Sequence, residues 1–285
     1  MAATAEPQVL LDTLTIGESP RWHDERLWVC NWGAAEVLAI TTDGACERVL
    51  ESPSAIPFSI DWLADGALLL VDGQHHRLLR REHDGPLALY SDLGDLSRAA
   101  WNEIVVDGRD NAYVNGIGFD MMAGEPPAPG LIALVAPDGS ARQVAGELQF
   151  PNGMAVTPDN ATLIVAESYA RRLTAFDIAG DGGLANRRVW ADLGDGVPDG
   201  ICSDAEGAVW YADVPNRSCV RVGEGGDVLD RIEVDRGCFA CMLGGPDGTS
   251  LFIVAAQWRP GAMFEGERSG QVLVAPAAAP AAGRP

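Results

Sequence analysis

The sequence predicts an all-β fold, a six-bladed β-propeller with four-stranded blades, from three observations. Short apolar strands follow tight polar turns six times along the 285 residues, and successive strands begin 41 to 51 residues apart. This spacing is typical of one propeller blade per repeat. Apolar residues at helical spacing are not sustained anywhere in the chain. A β-sandwich would not repeat a four-stranded unit six times, so the propeller is the better interpretation.

The second strand of each predicted blade is the best defined, because it follows a turn with an acidic or glycine corner such as Ala64-Asp65-Gly66. These strands are Arg26 to Cys30, Ala67 to Val71, Asn111 to Val114, Ala161 to Ala166, Ala208 to Ala212 and Ser250 to Ala255. The third strands are Leu38 to Thr41, Arg77 to Arg80, Leu131 to Val135, Arg172 to Phe176, Val220 to Val222 and Gln271 to Val274.

The segment Val9 to Leu14 precedes the first complete unit and is free to supply the outer strand of the last blade. That pairing would close the ring and remove an exposed sheet edge. We therefore expect one propeller domain over residues 8–275. Residues 1–7 and 276–285 are rich in Ala and Pro, and we expect both to be loose tails.

Composition excludes several classes of partner. The chain has 41 acidic and 20 basic residues and a net charge of −21, so it should repel phosphate backbones and anionic membranes. No apolar run approaches the roughly 20 residues of a membrane helix. Residues 1–7 lack the cationic start and apolar core of a secretory signal. The sequence thus predicts a cytoplasmic protein that acts on a small molecule, without nucleic acid or membrane as a partner.

Six cysteines in this setting are expected to be reduced and mostly buried. Cys238-Phe-Ala-Cys241 has the spacing of a redox or zinc motif, but it lies in a predicted strand. A regular strand would turn the two thiols to opposite faces. We therefore expect that they share neither a disulfide nor a ligand. The four histidines lie in turn-like polar segments and are expected to be solvated.

Four polar residues occupy matching positions in different repeats. Asn102, Asn152 and Asp199 each begin a predicted inner strand, and Glu18 precedes the turn of the first blade in the same way. Because inner strands line the central channel of a propeller, these four side chains should converge near its axis. Carboxylate and amide oxygens suit a hard cation, so calcium is favoured over zinc. Taken singly, Pro-Asn-Gly and Pro-Asp-Gly could be only turns, but their matched phase favours a site.

Two long loops follow second strands, Asn115 to Gly130 and Gln257 to Ser269. Both should overhang the face on which the polar residues begin their strands, and long loops in compact domains are often functional. They carry Met121, Trp258, Met263 and Phe264, among other apolar side chains. The two loops would form a partly apolar roof over the site. The residues expected to contact a substrate beneath it are Trp101, Asn102, Met121, Phe150 and Trp258.

Several motifs occur in a specific order along the chain. They are Gly17-Glu18-Ser19-Pro20-Arg21-Trp22, Asn102-Glu103-Ile104-Val105-Val106-Asp107, Pro151-Asn152-Gly153-Met154, Pro198-Asp199-Gly200-Ile201 and Gly244-Gly245-Pro246-Asp247. In this order they resemble the signatures of the regucalcin (senescence marker protein) and gluconolactonase family. The resemblance implies a six-bladed propeller and lactone hydrolysis. It also implies one divalent metal on Glu18, Asn152 and Asp199, with Asn102 in or near the shell and Asp199 as general base.

The chain departs from the family pattern at two positions. The sugar-lactone members that this chain resembles have an arginine at the position of Ala100 and an aspartate at the position of Glu103. The missing arginine would hold a polyhydroxylated substrate, so the departure disfavours a sugar and favours a more apolar molecule.

The resulting hypothesis is a metal-dependent hydrolase of a lactone or related ester. A cation, with calcium first and zinc, magnesium or manganese as alternatives, would polarise the carbonyl while Asp199 takes a proton from the attacking water. Two rival functions stay open, because a propeller fold hosts many functions. One is hydrolysis of organophosphate esters at the same site, and the other is a propeller that only binds calcium or a partner. The in-phase polar cluster beneath apolar loops favours the enzyme.

Overall fold

The protein is a six-bladed β-propeller, as predicted. The computed structural model describes residues 6–259, 262, 264 and 266–283, so the predicted roof residue Met263 lies outside the described residues. Six sheets of four antiparallel strands account for nearly all regular structure. Helical structure in the described ranges consists of two short 3-10 turns, Gly73–His75 and Ser168–Ala170. Neither of them has the length needed to span a membrane.

Each blade places its first strand next to the axis and its fourth strand at the periphery. Blade 1 contains β2 Ile16–His23, β3 Arg26–Trp32, β4 Glu36–Ile40 and β5 Cys46–Glu51. Blade 2 contains β6 Phe58–Trp62, β7 Leu68–Asp72, β8 Arg77–Arg81 and β9 Ala88–Asp92. Blade 3 contains β10 Trp101–Val106, β11 Ala112–Gly116, β12 Gly130–Val135 and β13 Ala141–Leu148.

The remaining three blades follow the same order. Blade 4 contains β14 Pro151–Val156, β15 Thr162–Glu167, β16 Arg172–Ile178 and β17 Leu184–Asp192. Blade 5 contains β18 Pro198–Ser203, β19 Val209–Asp213, β20 Ser218–Val222 and β21 Val228–Glu233. Blade 6 contains β22 Gly237–Gly244, β23 Ser250–Ala256, β24 Gly270–Pro276 and the N-terminal strand β1 Gln8–Leu14.

The ring closes through the N-terminal strand, which confirms the prediction made for Val9 to Leu14. Strand β1 pairs antiparallel with β24, and Gln8 faces Val274 across the pair. The last blade is therefore built from both ends of the chain, as β22-β23-β24-β1. Closing the ring in this way pairs β24 on both of its edges.

The inner strands share a local irregularity that positions the site. In blades 1, 3, 4 and 5 the pairing register shifts between Glu18 and Arg21, Trp101 and Ile104, Pro151 and Met154, and Pro198 and Ile201. Blade 6 has a similar shift, between Cys238 and Ala240, whereas the pairing of β6 with β7 in blade 2 is regular. A bulge of this kind bends a strand and re-aims a side chain. In these five blades the bulge exposes a residue of the inner strand at the end of the channel.

Glycines follow two of the polar residues because neighbouring inner strands touch there. A Cβ atom on Gly153 would lie 2.5 Å from the backbone nitrogen of Ile201, and one on Gly200 would lie 2.5 Å from the Cβ atom of Ala240. Neither glycine has a positive φ. The need for glycine is therefore close packing between blades rather than an unusual backbone angle.

The C-terminal segment differs from the loose tail expected for residues 276–285. The amide of Ala205 donates to the carbonyl of Pro280 at 2.8 Å, and the amide of Ala281 donates to the carbonyl of Gly248 at 2.9 Å. Ala279 is 1% exposed. The described part of this segment is therefore docked on turns of blades 5 and 6, because an Ala- and Pro-rich chain can still satisfy backbone hydrogen bonds on a neighbouring surface.

All six cysteines are free, as predicted, and five of them are buried. The expected separation of Cys238 and Cys241 is wrong, because the bulge in β22 interrupts the alternation of a regular strand. Both thiols interact with Cys219 of blade 5. Cys241 also lies 3.7 Å from the carbonyl oxygen of Gly200, so these thiols pack into the interface between blades 5 and 6.

Candidate active site

One end of the channel opens into a cavity of about 360 Å³. Residues at or just ahead of the inner strands of all six blades contribute to its floor. In blade order they include Glu18, Pro57, Asn102, Asn152, Asp199 and Phe239. The structure thus brings the four polar residues singled out in the sequence to one place. Pro57 and Phe239 complete the ring with apolar surface.

The two asparagines and Asp199 form a short chain of contacts across blades 3, 4 and 5. The side-chain nitrogen of Asn102 lies 3.4 Å from the side-chain oxygen of Asn152. Asn152 in turn hydrogen-bonds the carboxyl of Asp199. The other oxygen of that carboxyl, Oδ1, is buried and has no hydrogen-bond partner among the described residues. A buried acceptor without a partner is unusual and calls for a ligand that the protein alone does not supply.

Burial and mutual repulsion disfavour the charged forms of both carboxyl groups. The pKa of Glu18 is raised well above its ordinary value by burial and then by the charges of Asp199 and Glu103. The pKa of Asp199 is raised by burial and then by Glu103 and Asp213. Like charges brought together in a low-dielectric site destabilise one another. Without a cation the floor therefore favours the neutral forms of these carboxyl groups, and a bound cation would favour their charged forms.

Arg21 is a nearby cation that the sequence did not single out as a counter-ion, although it lies in the motif that contains Glu18. Its Nη2 atom lies 3.5 Å from the Glu103 carboxylate and donates to the carbonyl of Ile104. Its Nε atom lies 3.9 Å from the Asp61 carboxylate. Since Arg21 is engaged with these two acids beneath the floor, it does not balance the charges of Glu18 and Asp199.

A second set of polar residues positions the floor and was missed in the sequence. Each closes a second strand and accepts a hydrogen bond from the backbone just ahead of an inner strand. The bonds run from Thr15 N to Asn31 (2.9 Å), from Gln149 N to Glu167 (2.7 Å) and from Val197 N to Asp213 (3.1 Å). The sequence contained a pattern that could have predicted these residues, because an acidic or amide residue lies near the end of the second strand in blades 1, 4 and 5. A buried acceptor there fixes the start of the bulge.

The residues of the floor fit a hard divalent cation. Across the described residues no three His, Cys, Asp or Glu side chains form a metal-binding group, so the candidate shell consists of two carboxylates and two amides. Oxygen-only ligands are the set that calcium and magnesium prefer, whereas zinc favours nitrogen and sulfur. The unpartnered oxygen of Asp199 and the repulsion between the two acids are both relieved by a cation at this position.

Aromatic side chains build the walls above the floor. Phe150 packs on Tyr169, with ring centroids 4.5 Å apart, and on Phe119 at 5.9 Å. On the opposite side Phe239 and Trp258 have ring centroids 5.9 Å apart. Apolar side chains thus enclose most of the space above the four polar residues.

The residues expected to contact a substrate are placed in two ways. Phe150, Met121 and Trp258 line the cavity, and Met121 and Trp258 come from the two long loops. Trp101 is fully buried and packs between blades 2 and 3, so its side chain is not part of the wall.

Several polar residues in the wall were not singled out in the sequence as parts of the site. Among them are Gln74, His76, Arg98, Asp120 and Ser168. His76 was expected to be solvated, but it is half-buried and borders the cavity, because the 3-10 turn Gly73–His75 folds it against blade 3. No local pattern distinguishes it from the other histidines.

Comparison with known proteins shows the family and the fold. Residues 16–257 match the family described as "SMP-30/Gluconolactonase/LRE-like region". Regucalcin from Xenopus laevis is 24% identical over 266 residues, covering 87% of this chain and 85% of the relative. A pentonolactonase from Haloferax volcanii is 24% identical over 248 residues, covering 85% and 81%. Among solved structures, a calcium-binding protein, regucalcin, from Agrobacterium tumefaciens superposes with a TM-score of 0.79 at 22% identity, covering 99% and 96%.

Proposed function

Since the chain belongs to the SMP-30/gluconolactonase/LRE-like family, we propose that it hydrolyses lactones, with a divalent cation held by Glu18, Asn152, Asp199 and Asn102. Calcium is the first candidate for the cation, because every proposed ligand is an oxygen. Relatives named as lactonases support the reaction, and a structural neighbour named as calcium-binding supports the cation.

The observation that carries the proposal is the composition of the cavity floor. Two buried carboxyl groups with raised pKa values meet there without a cation to balance them, and one oxygen of Asp199 has no partner. Two buried acids of this kind are costly to a fold unless they serve a ligand. A propeller built only to bind a protein partner would not need them beneath an enclosed cavity.

Each residue of the floor has a role in the proposed reaction. Asp199 accepts the proton of the attacking water. The hydrogen bond from Asn152 holds the Asp199 carboxyl in one orientation. Asn102 can donate its amide to an oxygen of the substrate. When bound, the cation supplies polarisation of the lactone carbonyl.

The wall favours a lactone with an apolar body. Aromatic rings line two sides of the cavity. Ala100 also borders it, at the position where the sugar-lactone members that this chain resembles have an arginine. The methyl side chain of an alanine cannot hydrogen-bond the hydroxyl groups of a sugar. Contact between an apolar substrate and the aromatic rings would instead bury apolar surface, which favours binding. We therefore propose aryl- or alkyl-substituted lactones as the substrates, ahead of sugar lactones.

The test combines metal binding with turnover. Chelated protein should open γ-phenylbutyrolactone at a negligible rate, and added calcium or another divalent ion should restore the rate. Isothermal titration should give one calcium site in the wild type and none in Glu18→Gln. Glu51→Gln, an exposed acid at the rim of blade 1, is the matched control and should behave as the wild type. Full turnover in the chelated protein would overturn the metal-dependent proposal, and calcium binding without turnover of any lactone would favour a binding propeller.

A further inference from the structure

The cavity wall has one polar corner. Apart from the floor, the polar side chains that border the cavity are Gln74, His76, Arg98, Asp120 and Ser168. Ser168 is occupied, since its hydroxyl donates to the carbonyl of Pro198 at 2.7 Å. Asp120 accepts a hydrogen bond from the amide of Ala123 at 2.9 Å within its own loop. Gln74, His76 and Arg98 remain, and they come from neighbouring parts of blades 2 and 3.

The backbone holds these three residues side by side. A Cβ atom on Gly73, at the start of the 3-10 turn, would lie 2.1 Å from the carbonyl oxygen of Trp101, so the turn packs directly on the entry to β10. The carbonyl of His76 accepts a hydrogen bond from the amide of Leu93 at 2.8 Å. The corner is therefore a built part of the junction between two blades.

Arg98 lies at the tip of a tight turn that leads into β10. The Ser97 hydroxyl donates to the carbonyl of Ala99 at 2.9 Å and accepts from its amide at 3.1 Å. These local bonds fix the backbone on both sides of Arg98, and they leave its side chain free to reach over the cavity. The turn thus fixes the backbone from which the Arg98 side chain extends.

Within the described part of the chain, Arg98 and His76 have no protein partner for their side-chain nitrogens, and Arg98 is exposed to solvent. Arg98 makes no ion pair and no hydrogen bond among the described residues, although the chain carries 41 acidic residues. The neighbouring Arg77 is paired instead with Asp72, at 2.6 Å. The Nδ1 atom of His76 is buried and has no partner in the described structure. An unpaired guanidinium and an unpartnered imidazole nitrogen that border the same cavity can together recognise an anion.

We propose that the substrate carries a carboxylate, which Arg98 and His76 bind while the apolar body of the lactone lies between the aromatic walls. This inference rests on the proposed lactone hydrolysis and specifies its substrate class as acidic, aryl- or alkyl-substituted lactones. A guanidinium matches the two oxygens of a carboxylate with a pair of parallel hydrogen bonds. The corner thus orients the molecule, with its anionic group at the junction of blades 2 and 3 and its reacting carbonyl over the floor.

The kinetic test compares two probes that differ only in charge, γ-phenylparaconic acid and its carboxamide. The wild type should open the acid with a kcat/KM about 10- to 100-fold above that of the amide, mainly through a lower KM. Arg98→Gln should bring the ratio of the two values close to one. Arg48→Gln, which removes an exposed arginine from the outer strand of blade 1, is the matched control and should keep the wild-type ratio. A wild-type ratio near one, or an unchanged ratio in Arg98→Gln, would overturn the inference and leave lactone hydrolysis standing.

A binding measurement separates this inference from the proposed function. Cyclopentanone analogues of the two probes, in which a methylene group replaces the ring oxygen of the lactone, cannot be hydrolysed, so their affinities are measured by calorimetry whether or not the protein is a lactonase. The analogue of the acid should bind the wild type about 10- to 100-fold more tightly than the analogue of the amide, and Arg98→Gln should lose that preference. Such a result without turnover of any lactone would support the anion site and overturn lactone hydrolysis. Equal binding of both analogues would overturn the anion site.

Discussion

The inner strands of blades 5 and 6 have the same local geometry and different chemistry. Strand β18 shifts register between Pro198 and Ile201, and strand β22 shifts register between Cys238 and Ala240. Both bulges expose one residue to the same cavity, Asp199 in blade 5 and Phe239 in blade 6. The first is a carboxyl group with a raised pKa, and the second is an aromatic ring that is 4% exposed.

The difference shows that the fold supplies the position and the residue supplies the function. A bulge in an inner strand aims a side chain at the cavity whatever that side chain is. Blades 1, 3, 4 and 5 have a carboxyl or amide side chain at this position, and blade 6 has an aromatic ring there. The site is therefore asymmetric although the scaffold is close to sixfold.

The largest expected effect comes from exchanging the chemistry at these two positions. Asp199→Asn should lower kcat/KM for a reactive lactone by at least about a thousandfold, because it removes the base and one charged ligand. Phe239→Leu keeps an apolar wall and should lower it by no more than about tenfold. Both variants are measured by steady-state ring opening in saturating calcium. Comparable losses in the two would contradict the division between floor and wall.

Close packing of the inner strands gives the next effect, which is on stability. Gly153→Ala should lower the free energy of unfolding by about 3 kcal/mol, since the added Cβ atom would meet backbone atoms of blade 5 that cannot easily move. Gly180→Ala is the matched control, because nothing lies within 4 Å of its Cβ position. It should change stability by less than about 0.5 kcal/mol. Urea unfolding of the two variants decides the matter, and equal stabilities would remove the packing argument.

The buried acid that positions blade 4 provides a pH-dependent test. Burial by itself would raise the pKa of Glu167, but hydrogen bonds from Thr174, Gln149 and Arg172 lower it overall. A lowered pKa stabilises the folded state above the ordinary glutamate pKa, and this contribution is lost as the pH falls through the folded-state value. Glu167→Gln should therefore cost about 2 kcal/mol at neutral pH, with the difference from wild type shrinking in acid.

Thermal or urea unfolding of the two proteins at several pH values measures this difference. Asp227→Asn, at an exposed turn of blade 5, is the control for removing one negative charge. A constant difference between Glu167→Gln and wild type across the acid range would show that the ionised form of Glu167 is not what stabilises blade 4.

The smallest effect concerns the segment that joins blades 5 and 6 at their rims. Removing residues 277–285 deletes the backbone bonds from Ala205 to Pro280 and from Ala281 to Gly248. Stability should fall by about 1 kcal/mol, because each net hydrogen bond contributes little and the freed chain gains entropy. Calcium affinity should be unchanged, since the segment is not part of the cavity wall. A large loss of calcium binding in the shortened protein would show that the segment supports the site.

The sequence by itself determined the repeat, the strands and the phase of the four polar residues. These follow from local patterns: a strand alternates, a turn carries acidic or glycine corners, and Glu18, Asn102, Asn152 and Asp199 recur at one point of each unit. Ring closure by the N-terminal strand also followed, because an unpaired strand and an open edge complement each other. Such features can be predicted from residues that are close together in the sequence.

The tertiary structure decided everything that depends on contacts between blades. It placed the ring of Trp101 in the core and that of Phe239 in the wall, although both are apolar residues of inner strands. It also engaged Arg21 with Glu103, and it brought His76 and Arg98 to the wall of one cavity. Such pairings join residues from different blades, and a strand pattern carries no information about which neighbour a side chain will meet. The floor of the site was therefore visible in the sequence, and its walls, its counter-ions and its polar corner were not.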